Sequence, residues 1–334
     1  MSDNRIPYIS FLQVLGPVFV ILGHSLNGLN CTGWWYIFSK EWIYVFHMPL
    51  FFFISGYLLA YKGYLNGQSY YAFIIRKAKR LLLPYLFWNL LFYIPKMMSQ
   101  AYITDTPSAD FFQVLTVFVF PRQNVWGHTW FLAGLFVLYA VSPVVTRPLA
   151  SGRAIARALL ISGCVILYML PIGTEFLAFS DLHKDLLFFV AGCMLGQIPQ
   201  ERFLRIMKDQ MIVFLLFATV TSAMALIWYN QTMPFHFMPC MFILLSLLSI
   251  GCSIKKLPPI IERLAMDSFG IYILHWPVMI SVRIIMYQII GFSAGVTALM
   301  MCIAGWTLPI IAVEWIRMMP IQKIRKPLKY LLGV

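Results

Sequence analysis

Charge is what this sequence of 334 residues has least of: 11% of its side chains are charged, and only 12 are acidic. Water-soluble domains carry about 25%, so a string of soluble domains is excluded. Nucleotide-phosphate and zinc-hydrolase signatures are also lacking, with no Walker loop, GxGxxG fingerprint or HExxH helix. The six cysteines (Cys31, Cys164, Cys193, Cys240, Cys252 and Cys302) show no CxxC or metal-like spacing. No metal is expected, and in apolar runs such thiols behave as small apolar side chains. No small-residue cleavage motif follows the first apolar run, which is therefore expected to remain as a span.

What is there is hydrocarbon. Hydrophobic residues make up 61% of the chain and the mean hydropathy is +0.80, the composition of an integral membrane protein. The expected fold is an all-α bundle of about ten transmembrane helices forming one domain over 1–334. The spans are read at approximately 8–27, 42–61, 81–96, 130–146, 155–171, 185–199, 210–229, 235–252, 265–286 and 292–316. Of the 25 Lys and Arg residues, 20 fall in alternate connections: Arg5, the stretch from Lys62 to Arg80, Arg147 to Arg157, Arg202 to Lys208, Lys255 to Arg263, and Arg317 onward. Lys40, Lys96, Arg122, Lys184 and Arg283 form the sparse opposite set. Basic connections stay in the cytoplasm, so both termini are expected there. The net charge of +13 thus reports topology and is no footprint of nucleic acid.

Histidine supplies the candidate chemistry. His24 sits about 24 Å along the first run, inside a polar cluster with Ser25 and Asn27. An ionisable group inside a span costs a few kcal/mol unless it faces protein or water, which makes it a functional candidate. A histidine merely hydrogen-bonded between helices is the competing reading. If the second span starts near Trp42, His47 lies about 8 Å below its outer end, and antiparallel neighbours bring it level with His24. His275 falls near the midplane of the ninth span, and Trp130 opens the fourth at the interface. The outer connections add Glu41, Asp105, Asp110, Glu175, Asp181, Asp185, His128 and His183, and His236 reads as interfacial. On the opposite side, Arg76, Lys77, Lys79 and Arg80 crowd into RKAKRLLLPY, with Pro84 expected in the first turn of the third span. Such cations either anchor topology or hold phosphates. Glu314, beside Arg317, reads as a paired or snorkelling carboxylate.

The segments VILGHS, FHMPLFFFISGYL, RKAKRLLLPYLFW, TWFLAGLF and DSFGIYILHWPV occur in this order. Together they resemble the acyltransferase-3 family of bacterial membrane O-acyltransferases, with the greatest likeness to its fucose 4-O-acetylase-like branch. The resemblance implies a ten-helix, multi-pass protein of the bacterial inner membrane. It implies transfer of an acyl group, acetyl expected, from cytoplasmic acyl-CoA to a glycan or lipid-linked sugar at or beyond the outer leaflet. Acetyl-CoA is then the donor, and polysaccharide-synthesis machinery and membrane lipids are the expected surroundings. His24 matches the family's catalytic histidine; His47, level with it by calculated depth, is expected to orient or assist it. Arg76, Lys77, Lys79 and Arg80 match the basic donor entrance. Gln13 stands where the family usually has Arg or Lys; eleven residues before His24, it shares that helix face about 16 Å away.

Physical chemistry agrees with that reading. A sugar hydroxyl attacks a thioester only when a base takes its proton, and imidazole titrates nearest neutrality. Oxyanion donors are also needed; Ser25, Asn27, Asn30, Trp130 or a second histidine could serve, with Ser55 and His275 as further supporting candidates. Direct attack and a transient acyl-histidine both begin with neutral His24. Two other classes fit ten spans: a flippase of lipid-linked sugars, and a non-catalytic membrane component of a polysaccharide-export complex, which Gln13 leaves open. The flippase is disfavoured because two halves with matching Gly/Pro-broken spans are not seen.

Overall fold

The computed structural model describes residues 6–30, 33–63, 67–98, 119–123, 127–227 and 236–333, among which every regular element is helical. Arg5, Cys31, Asp105 and Asp110 lie outside them. The α-helices are α1 (Pro7–Ser25), α2 (Trp34–Tyr61), α3 (Tyr70–Leu91), α4 (Tyr93–Met98), α5 (Trp130–Ala140), α6 (Ser142–Ala150), α7 (Ala154–Met169) and α8 (Phe179–Gly196). They continue with α9 (Gln200–Asp209), α10 (Met211–Ile227), α11 (Phe237–Ser253), α12 (Pro259–Val282), α13 (Ala294–Met318) and α14 (Gln322–Leu331). A π-helical segment, Arg283–Ile289, prolongs α12.

Five helical stretches are long and apolar enough to cross a bilayer: Pro7–Ser25, Tyr36–Tyr61, Tyr70–Met98, Pro259–Ile289 and Ala294–Met318. The pair α5–α6, bent by 46°, would make a sixth. Helices α7, α10 and α11 are apolar but shorter.

Two helix starts differ from the sequence expectation. Helix α3 begins at Tyr70 and not near residue 81, because Ser69 caps it, its Oγ accepting from the Ala72 N–H at 3.2 Å. The basic residues 76–80 are consequently helical, and Pro84 lies well inside α3 and not in a first turn. Helix α2 begins at Trp34, so His47 is about 20 Å from its start, further than expected. Hydropathy located the apolar stretch of each helix, whereas the cap and the interfacial residues set where helix begins.

The chain divides into two compact units, one holding Met1–Ser55 and Gln197–Arg325, the other Gly56–Gly196 and Lys326–Leu332. In the first, α1 packs against α11, α12 and α13. Small residues permit this approach: a Cβ on Gly305 would lie 2.7 Å from Met279 Cγ, and one on Gly16 would meet the Phe51 ring. Ile21, Leu29, Ile271, Met279 and Met301 close the core beneath the site described below. Where α12 meets α13, the buried Asp267 carboxylate takes both terminal nitrogens of Arg317, and Glu314 bridges Arg317 and Arg263. Glu314 is thus a paired carboxylate, as its sequence position suggested.

In the second unit, α3 packs on α5 and α7 on α8. Gly56 and Gly196 let α2 and α8 meet backbone to backbone, since a Cβ on either would strike a carbonyl oxygen, of Phe189 and Tyr57 respectively. The indole N–H of Trp88 donates to the Leu331 carbonyl at 3.2 Å, fixing the end of α14.

Candidate active site

Histidines from three helices of the first unit converge. The ring of His24 (α1) lies 5.5 Å from that of His275 (α12), nearly parallel at 29°, and 6.4 Å from that of His47 (α2), edge-on at 81°. Trp276 packs against His24 at 4.6 Å, and the Tyr44 ring stands 4.7 Å from His47 and 6.1 Å from His24. Helical geometry explains the convergence. His24 and His275 sit about 25 and 24 Å from the starts of α1 and α12, and Tyr44 and His47 are three apart on one face of α2. His47 and His275 are buried, while His24 is half-buried.

The hydrogen bonds separate the rings by role. A carbonyl can only accept, so Nδ1 of His47 donates to the Ile43 carbonyl at 2.9 Å and Nδ1 of His275 to that of Tyr272 at 2.5 Å. In the neutral form both rings therefore carry their lone pair on Nε2. His24 differs: its Nδ1 lies 3.3 Å from the Asn27 amide nitrogen and 3.3 Å from the Tyr44 hydroxyl. The Asn27 amide also donates to that hydroxyl. The loop after α1 is held from above, for Gly28 adopts φ +71° and the Arg283 guanidinium occupies the space a Cβ there would need. The Asn30 N–H donates to the Tyr287 hydroxyl at 3.3 Å, again from the π-helical segment.

Among the predicted site residues of this unit, His24, His47 and His275 are brought together. Ser25 lies beside them, but its hydroxyl hydrogen goes to the Leu22 carbonyl at 2.7 Å, which leaves it an acceptor and not an oxyanion donor. Gln13 is half-buried eleven residues, about 16 Å, down α1, and Ser55 is about 12 Å along α2 from His47. Neither joins the histidines. Sequence reasoning missed Tyr44 and Trp276. Trp276 lies inside a quoted segment, next to His275, and Tyr44 lies just before one, at i−3 from His47, but aromatics in a span read first as packing or interfacial belt. The pentapeptide GFSAG, residues 291–295, fits the GxSxG pattern. Its Ser293, however, caps α13 by accepting from the Val296 N–H at 3.4 Å, with no strand before it among the described residues, so it forms no nucleophile elbow. Among the described residues no group of three or more His, Cys, Asp or Glu has the arrangement to hold a metal ion.

The second unit carries the remaining predicted residues. Arg76, Lys79 and Arg80 are exposed, whereas Lys77 is half-buried with its ammonium 3.6 Å from the Tyr139 ring centre and 5.3 Å from that of Phe73. Helical spacing thus splits the basic run into three outward cations and one held by aromatic faces. Trp130 is buried beneath the Arg122 guanidinium, 4.1 Å away, which is itself paired with Asp181. Nearby in this unit, Asn89 donates to the Thr129 hydroxyl at 3.1 Å, and His128 and Asp185 are buried.

Comparison with known proteins agrees with this picture. The family model described as an acyltransferase domain matches residues 6–313. The chain is 24% identical over 238 residues to the nodulation protein NolL of Sinorhizobium fredii strain NGR234, covering 70% of this chain and 61% of the relative. It is 32% identical over 152 residues to the nodulation protein NolL of Mesorhizobium japonicum, covering 43% and 37%. The matches thus span less than two thirds of either relative. No solved structure matches. A family match from α1 into α13 takes in every histidine of the cluster and the basic run of α3, and the chain belongs to the acyltransferase-3 family.

Proposed function

We propose that this protein is a multi-pass O-acyltransferase of the bacterial inner membrane. It moves an acyl group, acetyl as the expected one, from cytoplasmic acyl-CoA to a hydroxyl of an extracytoplasmic or lipid-linked polysaccharide. In this reading 1–334 is one acyltransferase domain of ten spans with both termini in the cytoplasm. The observation that carries it is the His24 cluster: imidazoles from α1, α2 and α12 packed together within one helical unit. Structural histidines are ordinarily satisfied singly, whereas a base needs neighbours that fix its tautomer and accommodate its charge.

The roles follow from the geometry and chemistry. His24 takes the proton of the attacking hydroxyl, and the new C–O bond forms as the carbonyl carbon of the donor becomes tetrahedral. Collapse breaks the C–S bond, and the leaving thiolate recovers the proton from the imidazolium. His47 and His275, each fixed by a backbone carbonyl, both pack beside the His24 ring and orient it. The exposed cations of α3 and Lys77 suit the phosphates of CoA, which lie far from the reacting carbonyl. The Trp276 indole, whose ring packs against His24, is the group near that ring that suits a developing oxyanion.

The test is transfer from [14C]acetyl-CoA to the glycan and lipid fraction of host membranes by the purified protein in nanodiscs. Label in a base-labile ester on glycan supports the reading. Label that stays in CoA or appears only as free acetate contradicts it.

A further inference from the structure

We propose that α14 (Gln322–Leu331) is an interfacial helix that docks on anionic phospholipid headgroups, those of the cytoplasmic leaflet in the topology proposed above.

The sequence QKIRKPLKYL sorts into two faces at helical spacing. Ile324, Pro327, Leu328 and Leu331 fall within about 100° of one another around the axis, and Lys323, Arg325, Lys326 and Lys329 occupy the opposite arc. No acidic residue follows Glu314 in the sequence. Among the described residues, none of the four cations has an ion pair or a side-chain hydrogen bond. The carboxylates where α12 meets α13, Asp267 and Glu314, are already taken by Arg317 and Arg263.

The apolar stripe is uncovered as well. Helix α14 buries none of its residues, and Ile324 and the preceding Ile321 are 49% and 54% exposed. Helix α9 shows the alternative. It sets Arg202, Arg205 and Lys208 opposite Phe203 and Met207, but those two are buried and α9 packs on α11.

Connectivity places α14 at a membrane surface. Met319, extended before Pro320, ends α13, a helix long and apolar enough to span a bilayer. From Met318 to Gln322 the chain reaches no more than ~14 Å, so α14 starts close to where that span leaves the hydrocarbon. Trp315 and Met318, in the last turns of α13, are exposed too, as lipid-facing side chains are. A helix in the headgroup plane immerses its apolar stripe and sets its cations on lipid phosphates. A soluble anion would answer the charges but leave the stripe in water; a phospholipid surface answers both.

Photocrosslinking of the full chain in nanodiscs of phosphatidylcholine and phosphatidylglycerol tests this, with p-benzoylphenylalanine in place of Ile324 and adducts read by mass spectrometry. The probe should capture phospholipid. Phosphatidylglycerol should be enriched about tenfold over its bulk ratio, since each cation near the surface contributes about fivefold in affinity. Lys323→Gln, Arg325→Gln, Lys326→Gln and Lys329→Gln together should return the adduct to the bulk ratio. Lys323→Gln with Lys326→Gln, both at exposed positions, should lose part of the enrichment. Inorganic phosphate at matched ionic strength should not compete. Capture of peptide, from a second copy or from elsewhere in this chain, would make the stripe a protein interface and overturn the docking. So would the absence of any adduct, or enrichment that survives the fourfold substitution. Enrichment abolished by inorganic phosphate would assign the cations to a soluble anion and overturn it as well.

Discussion

The imidazole of His24 on α1 lies nearly parallel to that of His275 on α12, 5.5 Å away, although 251 residues separate them in the chain. His275 is fully buried and donates Nδ1–H to the Tyr272 carbonyl, so its ring is fixed by its own helix and in turn fixes the face of His24. Changing His275 to Phe keeps a ring in that space but removes both nitrogens. The expected outcome is a kcat lower by about tenfold, less than the ~10²–10⁴-fold that a general base supplies, with little change in donor KM. Steady-state kinetics of the purified variant checks this, and an unaltered kcat would make His275 packing alone.

The ion pair at the junction of α12 and α13 predicts a stability effect. Asp267 is 1% exposed and Arg317 19% in their side chains, and the carboxylate takes two guanidinium nitrogens. Removing one partner strands a buried charge, so Arg317→Ala should cost about 3–5 kcal/mol. A large fall in the detergent-solubilised melting temperature is expected, with partial recovery in the Arg317→Ala, Asp267→Asn double variant. An unchanged melting temperature in the single variant would show the pair to be solvated.

Donor binding is expected to depend on the cations of α3. Lys77→Ala with Arg80→Ala should raise the KM for acetyl-CoA more than it lowers kcat, because contacts to distant phosphates stabilise ground and transition states alike. Lys77 alone also supports Tyr139 and Phe73 through cation–π contact, so its single variant should lose some thermal stability that Arg80→Ala does not. Unchanged donor affinity in the double variant would leave the basic run a topology anchor.

How much of this was legible in the sequence depended on the length scale. Apolar runs located the helices, because the hydrocarbon of a bilayer imposes ~20 apolar residues on any span. Helix starts were less legible: Ser69 and the residues 34–41 extend α3 and α2 beyond their apolar cores. His24 and His47 stood out as polar groups in apolar runs. The approach of His275 was not legible, since depth along one helix says nothing about which helices adjoin. Tyr44 was hidden for another reason: its approach to His24 depends on which face of α2 meets α1, and that requires coordinates, whereas Asn27 was already named beside His24. The split of the basic run could have been read from helical spacing, had the helix been carried back to Tyr70.

The loop over the site predicts its own sensitivity. Gly28 combines a left-handed φ of +71° with an Arg283 guanidinium in the space that a Cβ there would need. Gly28→Val should displace Arg283 and, through the adjacent Asn27, loosen the hold on His24 Nδ1; Gly28→Ala should do so less. The expected reading is a lower kcat with membrane insertion retained. A fully active Gly28→Val protein would separate this loop from the chemistry.

The central claim is that His24 is the base for acyl transfer. Its most direct test is transfer from [14C]acetyl-CoA to host membrane glycan by His24→Ala protein, shown to be inserted and to bind donor as wild type does. The account predicts loss of measurable transfer, consistent with the ~10²–10⁴-fold contribution of a general base, with acetyl-CoA affinity retained. Near-normal transfer by that protein would contradict it and move the base elsewhere.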